Sequence, residues 1–213
     1  MPTPSPTLLE PRKSPVQARS TASVDAILEA TIQVLLTCGK ESLTTTKVAA
    51  RAGVSVGTLY QYFPNKSALL QAALKRHLDE VSAGVERVCR EQKFNALTGM
   101  ATALINAFLE AKMRNVKTSV ALYSVSSDVD GAGIVRQMGI RSNQAIVGML
   151  ATAREPLTTD PQLVAAMLQS AMAGVSRRLL ESDAPEKHFD PLRQELIFFV
   201  CAYLEACSTR RPV

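Results

Sequence analysis

The chain has 213 residues, 46% of them hydrophobic and 20% charged, with a formal net charge of +5. That is enough apolar material for a sizeable core, in one large domain or a small one joined to a larger one, and the positive balance suits an anionic partner such as nucleic acid without requiring one. With two histidines, four scattered cysteines lacking a CxxC pair, no apolar leader and no unbroken apolar run longer than Leu196–Leu204, we expect no metal site, no cofactor, no export and no membrane span, which needs roughly 20 apolar residues, but a cytoplasmic protein with reduced thiols.

Residues 1–20 contain five of the eleven prolines together with Ser, Thr and Gln, a composition that cannot offset the entropy of ordering. They are expected to form a disordered tail, whose Arg12, Lys13 and Arg19 are either simply solvated or belong to an arm that adds contacts to DNA. Next, Val24, Ile27, Leu28, Thr31, Val34, Leu35 and Cys38 step at three and four residues, one face of a helix opening near Ser23 and stopping at Gly39. A second long helix is marked by Leu69, Leu70, Ala73, Leu74, Leu78, Val81, Val85 and Val88. No window alternates strictly enough for a strand, so the fold class is all-α.

Between these helices, "LTTTKVAARAGVSVGTLYQYF" supplies two short helices around a tight turn. A threonine of Thr44–Thr46 caps the first, and Val48, Ala49 and Ala52 face inward. Two helices crossing steeply over a three- to four-residue turn need a small residue near the crossing and a glycine able to take positive φ at the corner; Ala49 and Gly53 fit those roles. Ser55 caps the second helix, Leu59 and Phe63 fall on its inner face, and Val56, Gly57, Thr58, Tyr60, Gln61 and Tyr62 remain on the outside, although Tyr62 could pack partly beside Phe63. That outer set contains no carboxylate, which suits hydrogen bonding to phosphates and base edges. Asn65 can cap the next helix and place Lys66 in its first turn, where unpaired N–H groups and the lysine together favour an anion. From Lys40 to Lys66 there are four basic residues, Lys40, Lys47, Arg51 and Lys66, against the single acid Glu41.

The string "TTTKVAARAGVSVGTLYQYFPNKSALL" closely resembles the helix-turn-helix of the tetracycline-repressor (TetR) family of bacterial regulators, tightly from Thr45 to Leu70 and loosely over the flanking helices. The resemblance implies a DNA-binding domain over residues 21–70, in which the second short helix enters the major groove. Thr45, Tyr60, Tyr62 and Lys66 would then contact phosphates, and Val56, Gly57 and Thr58 would face bases and sugar edges. Ser55 and Lys47 complete the set. Gln61 could read adenine, and Val56 a thymine methyl. Thr46 stands where relatives often hold a base-reading basic residue. The resemblance further implies a ligand-binding and dimerization domain over residues 71–213, a homodimer on a palindromic operator in double-stranded DNA, and an unidentified small-molecule effector that releases it.

In that larger region Phe94, Leu97, Met100, Ala101, Leu104 and Phe108 form one apolar stripe, and Ile134, Met138, Ile146, Met149 and Leu150 another. Breaks are expected at 130–133, at "EPLTTDP" and at "ESDAPEKHFDP". Met100, Leu104, Phe108, Tyr123 and Met138 are candidates for an apolar pocket, or else plain core. The last helix, "PLRQELIFFVCAYLEACS", is apolar on nearly all sides, so it is covered by a partner beyond its own domain or is buried deeply in a monomer. Met167, Ala171, Gly174, Phe198, Cys201 and Glu205 are the candidate dimer contacts. No nucleophile with a nearby base, phosphate-binding glycine loop or paired catalytic carboxylates is visible, so an enzyme is not expected. Two other possibilities stay open: an effector-independent architectural or division-control DNA-binding protein, and redox sensing through Cys38 or Cys201.

Overall fold

A computed structural model describes residues 15–209, and all regular structure among them is helical. The described residues form nine α-helices, in order α1 (Pro15–Ser42), α2 (Thr45–Ala52), α3 (Val56–Tyr62), α4 (Lys66–Glu91), α5 (Leu97–Met113), α6 (Val116–Ser124), α7 (Gly131–Leu150), α8 (Pro161–Leu180) and α9 (Pro185–Thr209). A 3₁₀ turn, Ser126–Asp128, precedes α7. The chain divides into two compact units between Leu69 and Leu70.

The first unit is built on α1, whose buried residues Ile27, Leu28, Thr31, Val34 and Leu35 repeat the spacing read from the sequence. The Thr31 hydroxyl is satisfied by the Ile27 carbonyl at 2.7 Å, so its burial leaves no open polar group. By length and composition Ser20–Ser42 would suffice to cross a membrane. It is instead two-faced, with Asp25 and Glu29 exposed opposite the buried stripe, as in a core helix of a folded domain. Helical backbone begins at Pro15, so the expected tail does not extend to residue 20 and the helix does not wait for Ser23; Arg12 and Lys13 lie outside the described residues. Proline is well suited to a first turn, where its missing N–H would have had no partner. Gly39 does interrupt α1, with φ 72° and ψ 171°.

Helix α2 is capped by Thr44, whose side chain accepts the Lys47 amide at 3.2 Å. It ends on Gly53 in the left-handed region, φ 68° and ψ 27°. There the Gly53 amide reaches the Ala50 carbonyl at 3.3 Å and the Val54 amide the Ala49 carbonyl at 3.0 Å, the paired bonds of a Schellman turn. Buried Ala30, Leu43, Val48, Ala49, Leu59, Phe63 and Leu69 join this core.

In the second unit α5 and α9 pack together, with α8 against both and α7 against α8. Met100, Leu104, Leu109, Ile146, Leu168 and Val200 belong to their common core. The break expected at 130–133 shrinks to its first residue, because Asp130 caps α7 and the helix starts at Gly131, and two other expected boundaries move further. Phe94 is outside α5, 70% exposed, with φ 64°. Its amide donates to Thr152 Oγ1 at 3.1 Å and its carbonyl accepts from Arg154 Nε at 3.1 Å, so polar ties to the segment after α7 hold it there and outweigh its apolar spacing with Leu97. Likewise α9 starts at Pro185 and runs through Pro191, six residues before the expected start. A proline that deep removes a helical bond, and only residues 185–190 precede it, so the interruption is confined to the first turns. Helix α6 is short and has little periodicity, and the sequence does not announce it.

At Gly53 an added Cβ would meet nothing within 4 Å, so substitution there tests backbone preference alone. Gly53→Ala should lower stability by about 1 kcal/mol, and Gly53→Asn by less, since asparagine tolerates this conformation. Denaturant titration of the two variants against the parent measures both.

Candidate functional site

The outer surface of α2 and α3 gathers most of the residues expected at a nucleic-acid interface. Ser55 caps α3, accepting the Thr58 amide at 3.0 Å while its hydroxyl lies 2.9 Å from that of Thr58. Capping at both helix starts orients the short segments and, of the outward side chains, engages only that of Thr58. Leu59 is fully buried and Phe63 is 8% exposed, whereas Val56, Gly57, Tyr60 and Gln61 are exposed and Thr58 and Tyr62 half-buried. At Gly57 a Cβ would touch only Ser55 Oγ, at 3.7 Å; the fold therefore does not require glycine at this outward position.

The hydroxyls of Thr45 and Tyr60 lie 3.1 Å apart, so the start of α2 and the outer side of α3 share one polar spot. The basic residues are engaged differently from the sequence expectation. Lys66 Nζ donates to the Lys40 carbonyl at 2.6 Å, and Lys47 Nζ to the Ser42 carbonyl at 2.8 Å. Both therefore hold carbonyls left open where α1 breaks at Gly39. Arg51 Nε donates to Gln33 at 2.6 Å. Each ammonium keeps further donors, since a lysine has three. Asn65 accepts the Ala68 amide at 2.8 Å, the expected cap of α4. Thr46 is exposed on α2.

A second candidate site lies wholly within the second unit. A cavity of about 700 Å³ is lined by Phe108, Tyr123 and Met138, as expected, together with Lys112, Ser142 and Gln169 among others. Met100 and Leu104 do not line it; both are completely buried in the core. The reason is geometric. At ~100° per residue, each step of four along α5 turns the side chain by about 40°, so Met100 and Leu104 face the core while Phe108 and Lys112 have rotated toward the cavity.

Sequence reasoning missed Lys112, which is 2% exposed. Its Nζ donates to the Tyr123 hydroxyl and lies 4.5 Å from the Tyr123 ring centroid and 5.8 Å from that of Phe108. Burial lowers its pKa to about 8 and raises that of Tyr123, which stays a neutral phenol. Behind it, Ser119 donates to the Lys112 carbonyl at 2.9 Å. With that proton committed, His77 Nε2, 3.1 Å from Ser119 Oγ, is the donor to it. Burial, aided by the Lys112 charge, pushes the His77 pKa down to about 4. The only sequence signal for this cluster was i, i+4 spacing of Phe108 and Lys112, which a surface helix shows equally.

Of the residues expected at a dimer contact, Met167, Gly174, Phe198 and Glu205 are exposed, and Ala171 and Cys201 half-buried. Leu163, Met167, Phe198 and Phe199 are 55%, 46%, 72% and 56% exposed, on the adjacent helices α8 and α9. Burial raises the pKa of the Cys201 thiol and, to about 12, that of Cys89, so neither is an activated thiolate.

Comparison with known proteins agrees with both halves. Residues 27–73 match the family model for bacterial regulatory proteins of the tetR family, and residues 97–204 the model for the tetracyclin repressor-like C-terminal domain. The HTH-type transcriptional repressor KstR of Mycolicibacterium smegmatis is 33% identical over 120 residues, 53% of this chain and 55% of that protein. The chain thus spans about half or less of the length of the first curated relatives it matches. The nucleoid occlusion factor SlmA of Yersinia enterocolitica is 24% identical over 176 residues, covering 78% of this chain and 88% of that protein. Among solved structures, a transcriptional regulator from Rhodococcus sp. has the same fold, with a TM-score of 0.68, 21% identity and coverage of 89% of this chain and 100% of that one.

His77 gives the stability of the fold a pH dependence with a definite sign. Because its pKa is about 4 in the folded protein and 6.5 unfolded, the unfolded chain takes up the proton first as pH falls. Stability is therefore lost from pH 6.5 down to 4, by roughly 3 kcal/mol in all, with no further loss from this group below that. His77→Gln, which keeps a donor for Ser119, should remove this part of the acid sensitivity, measured as the difference between variant and parent in urea unfolding from pH 7 to 4.

Proposed function

The chain belongs to the tetracycline-repressor (TetR) family of bacterial transcriptional regulators, and from that premise we propose that it is a homodimeric repressor that binds a palindromic operator and releases it when a small molecule occupies the cavity of the second unit. The observation that carries the DNA half is the carboxylate-free outer face of α3 beside the start of α2, with the Thr45 and Tyr60 hydroxyls meeting across the two helices.

In this reading α3 lies in the major groove. Thr45, Tyr60 and Tyr62 donate to phosphates, and the backbone at Gly57 comes close to the duplex. Val56, Thr58 and Gln61 face the base edges. Lys47 and Lys66 serve twice: each holds a carbonyl at the end of α1 while its remaining N–H groups face phosphates. Such contacts fix register without reading sequence, so sequence choice falls to Val56 and Gln61. Regulation of this kind places the protein in the cytoplasm, with the chromosome.

The homodimer rests on Leu163, Met167, Phe198 and Phe199, four large apolar side chains whose exposure on adjoining helices is unusual for a monomer. Two copies of α8 and α9 would cover one another as a four-helix interface and set two copies of α3 about 34 Å apart, one turn of DNA. A second reading, favoured by the longer match to nucleoid occlusion factors, makes the protein a division-control DNA-binding factor with no small-molecule effector. Binding at many sites across the chromosome, unaffected by any metabolite, would select it.

A gel-shift titration with DNA from upstream of the protein's own gene tests the interface. Gln61→Ala should cost about 1–3 kcal/mol on the preferred operator and little on other DNA, whereas Tyr60→Phe should weaken binding to all sequences alike. Full affinity in both variants would sink the assignment. For the dimer, Phe198→Glu should shift the protein to a monomer in analytical ultracentrifugation and abolish the preference for a palindrome over a half-site; a variant that remains dimeric would exclude this face.

A further inference from the structure

We propose that the cavity of the second unit takes an amphipathic monoanion, a carboxylic acid with an apolar body, and that the ammonium of Lys112 receives its charge. The proposal deepens the reading of that cavity as an effector site and rests on it for the consequence at DNA.

The argument begins with an imbalance. Lys112 is 2% exposed, and among the described residues no carboxylate pairs with it. Its neighbours are the neutral hydroxyl of Tyr123 and the faces of Tyr123 and Phe108. Aromatic faces attract a cation, yet they replace only part of the hydration that an ammonium loses on burial. A buried charge is ordinarily paired. His77, linked to the Lys112 carbonyl through Ser119, stays neutral and acts as a donor to Ser119, so it supplies no negative charge.

Several other polar groups of the lining are already engaged. Gln169 donates to the Gly139 carbonyl at 3.0 Å, and the Ser142 hydroxyl lies 3.3 Å from that of Ser82. Glu181, also in the lining, pairs with Arg177 at 2.8 Å, with both side chains largely in solvent. Among the described residues that leaves one positive charge without an opposite, beside a wall to which nine Val, Met, Ile, Leu and Phe side chains contribute. Val120 and Val135 are 42% and 38% exposed and also line the cavity, so its apolar wall reaches solvent and a ligand can enter.

These features select a ligand class by charge. A neutral apolar molecule would displace water and leave the ammonium drier than before, and a cation would be repelled. A carboxylate would accept from Lys112 Nζ, which keeps donors beyond the one given to Tyr123. One ammonium balances one negative charge, and Arg177 is already occupied, so a monoanion fits better than a phosphate ester. The volume, about 700 Å³, falls among those of small-molecule sites and leaves room for an apolar body beyond the carboxylate.

Isothermal titration of the full chain at pH 7 with matched probes tests this: octanoate against octan-1-ol and octan-1-amine, and 4-phenylbutyrate against 4-phenylbutan-1-ol. At least one acid should bind about tenfold or more tighter than its own alcohol, with the amine weakest, as expected for a hydrogen bond to a charged group. Lys112→Met should erase or invert that preference while leaving alcohol binding intact. Lys112→Gln, which keeps a donor for Tyr123, should do the same and serves if the methionine variant does not fold. Acids that bind no better than their alcohols in the parent, or a preference that survives both substitutions, would overturn the proposal. Gel shifts with the same probes separate the two levels: a Lys112-dependent acid preference with unchanged DNA binding overturns the effector reading and leaves the cavity assignment standing.

Discussion

The left-handed backbone at Gly53 is the constraint on which the first unit depends. It ends α2 after eight residues and turns the chain so that α3 can start three residues later on its Ser55 cap. Neither helix is long enough to persist alone in water, where about 12–15 residues are marginal. Each exists because the corner brings Val48 and Ala49 into one core with Leu59 and Phe63. The Thr45 and Tyr60 hydroxyls meet at the surface for the same reason, although fifteen residues separate them. The lysine bonds to the carbonyls of Lys40 and Ser42 fasten this corner to the broken end of α1.

The second unit is governed by a different balance. Most of its interior is a conventional apolar core of α5, α7, α8 and α9, and nothing in that core calls for charge. At the cavity the rule changes. Lys112, Tyr123, Ser119 and His77 form a chain of groups in which every member except the ammonium has a neutral solution to burial. Tyr123 keeps its proton, His77 goes without its second one, and Ser119 divides its donor and acceptor between two neighbours. Lys112 alone retains a charge near neutral pH.

The sequence was most legible where local chemistry dictates local form. Thr44, Gly53, Ser55 and Asn65 each act as the cap or corner that their residue type and position suggest, and the inward pair Leu59 and Phe63 follows from a spacing of four. It was least legible where tertiary partners override pattern. Phe94 fits an apolar stripe, yet Thr152 and Arg154, distant in sequence, hold it outside the helix. Pro185 to Asp190 reads as a turn, yet the chain is helical there. Lys66 sits at a helix start where an anion would suit it, and its ammonium instead finds a carbonyl of α1. Burial of Lys112 could not be read at all, because a lysine four residues after an aromatic is an everyday feature of exposed helices.

Helix α3 has seven residues, and only Leu59, together with Phe63 at its end, is committed to the core. Val56, Gly57 and Gln61 are exposed and hold nothing in place, and the caps that define the helix lie at its ends. Exposed positions of this kind usually change stability by less than about 0.5 kcal/mol when substituted. A lineage carrying this fold can therefore rewrite the chemistry of this face one residue at a time, without passing through an unfolded intermediate. Innovation at the surface and maintenance of the scaffold are assigned to different letters of the same short word.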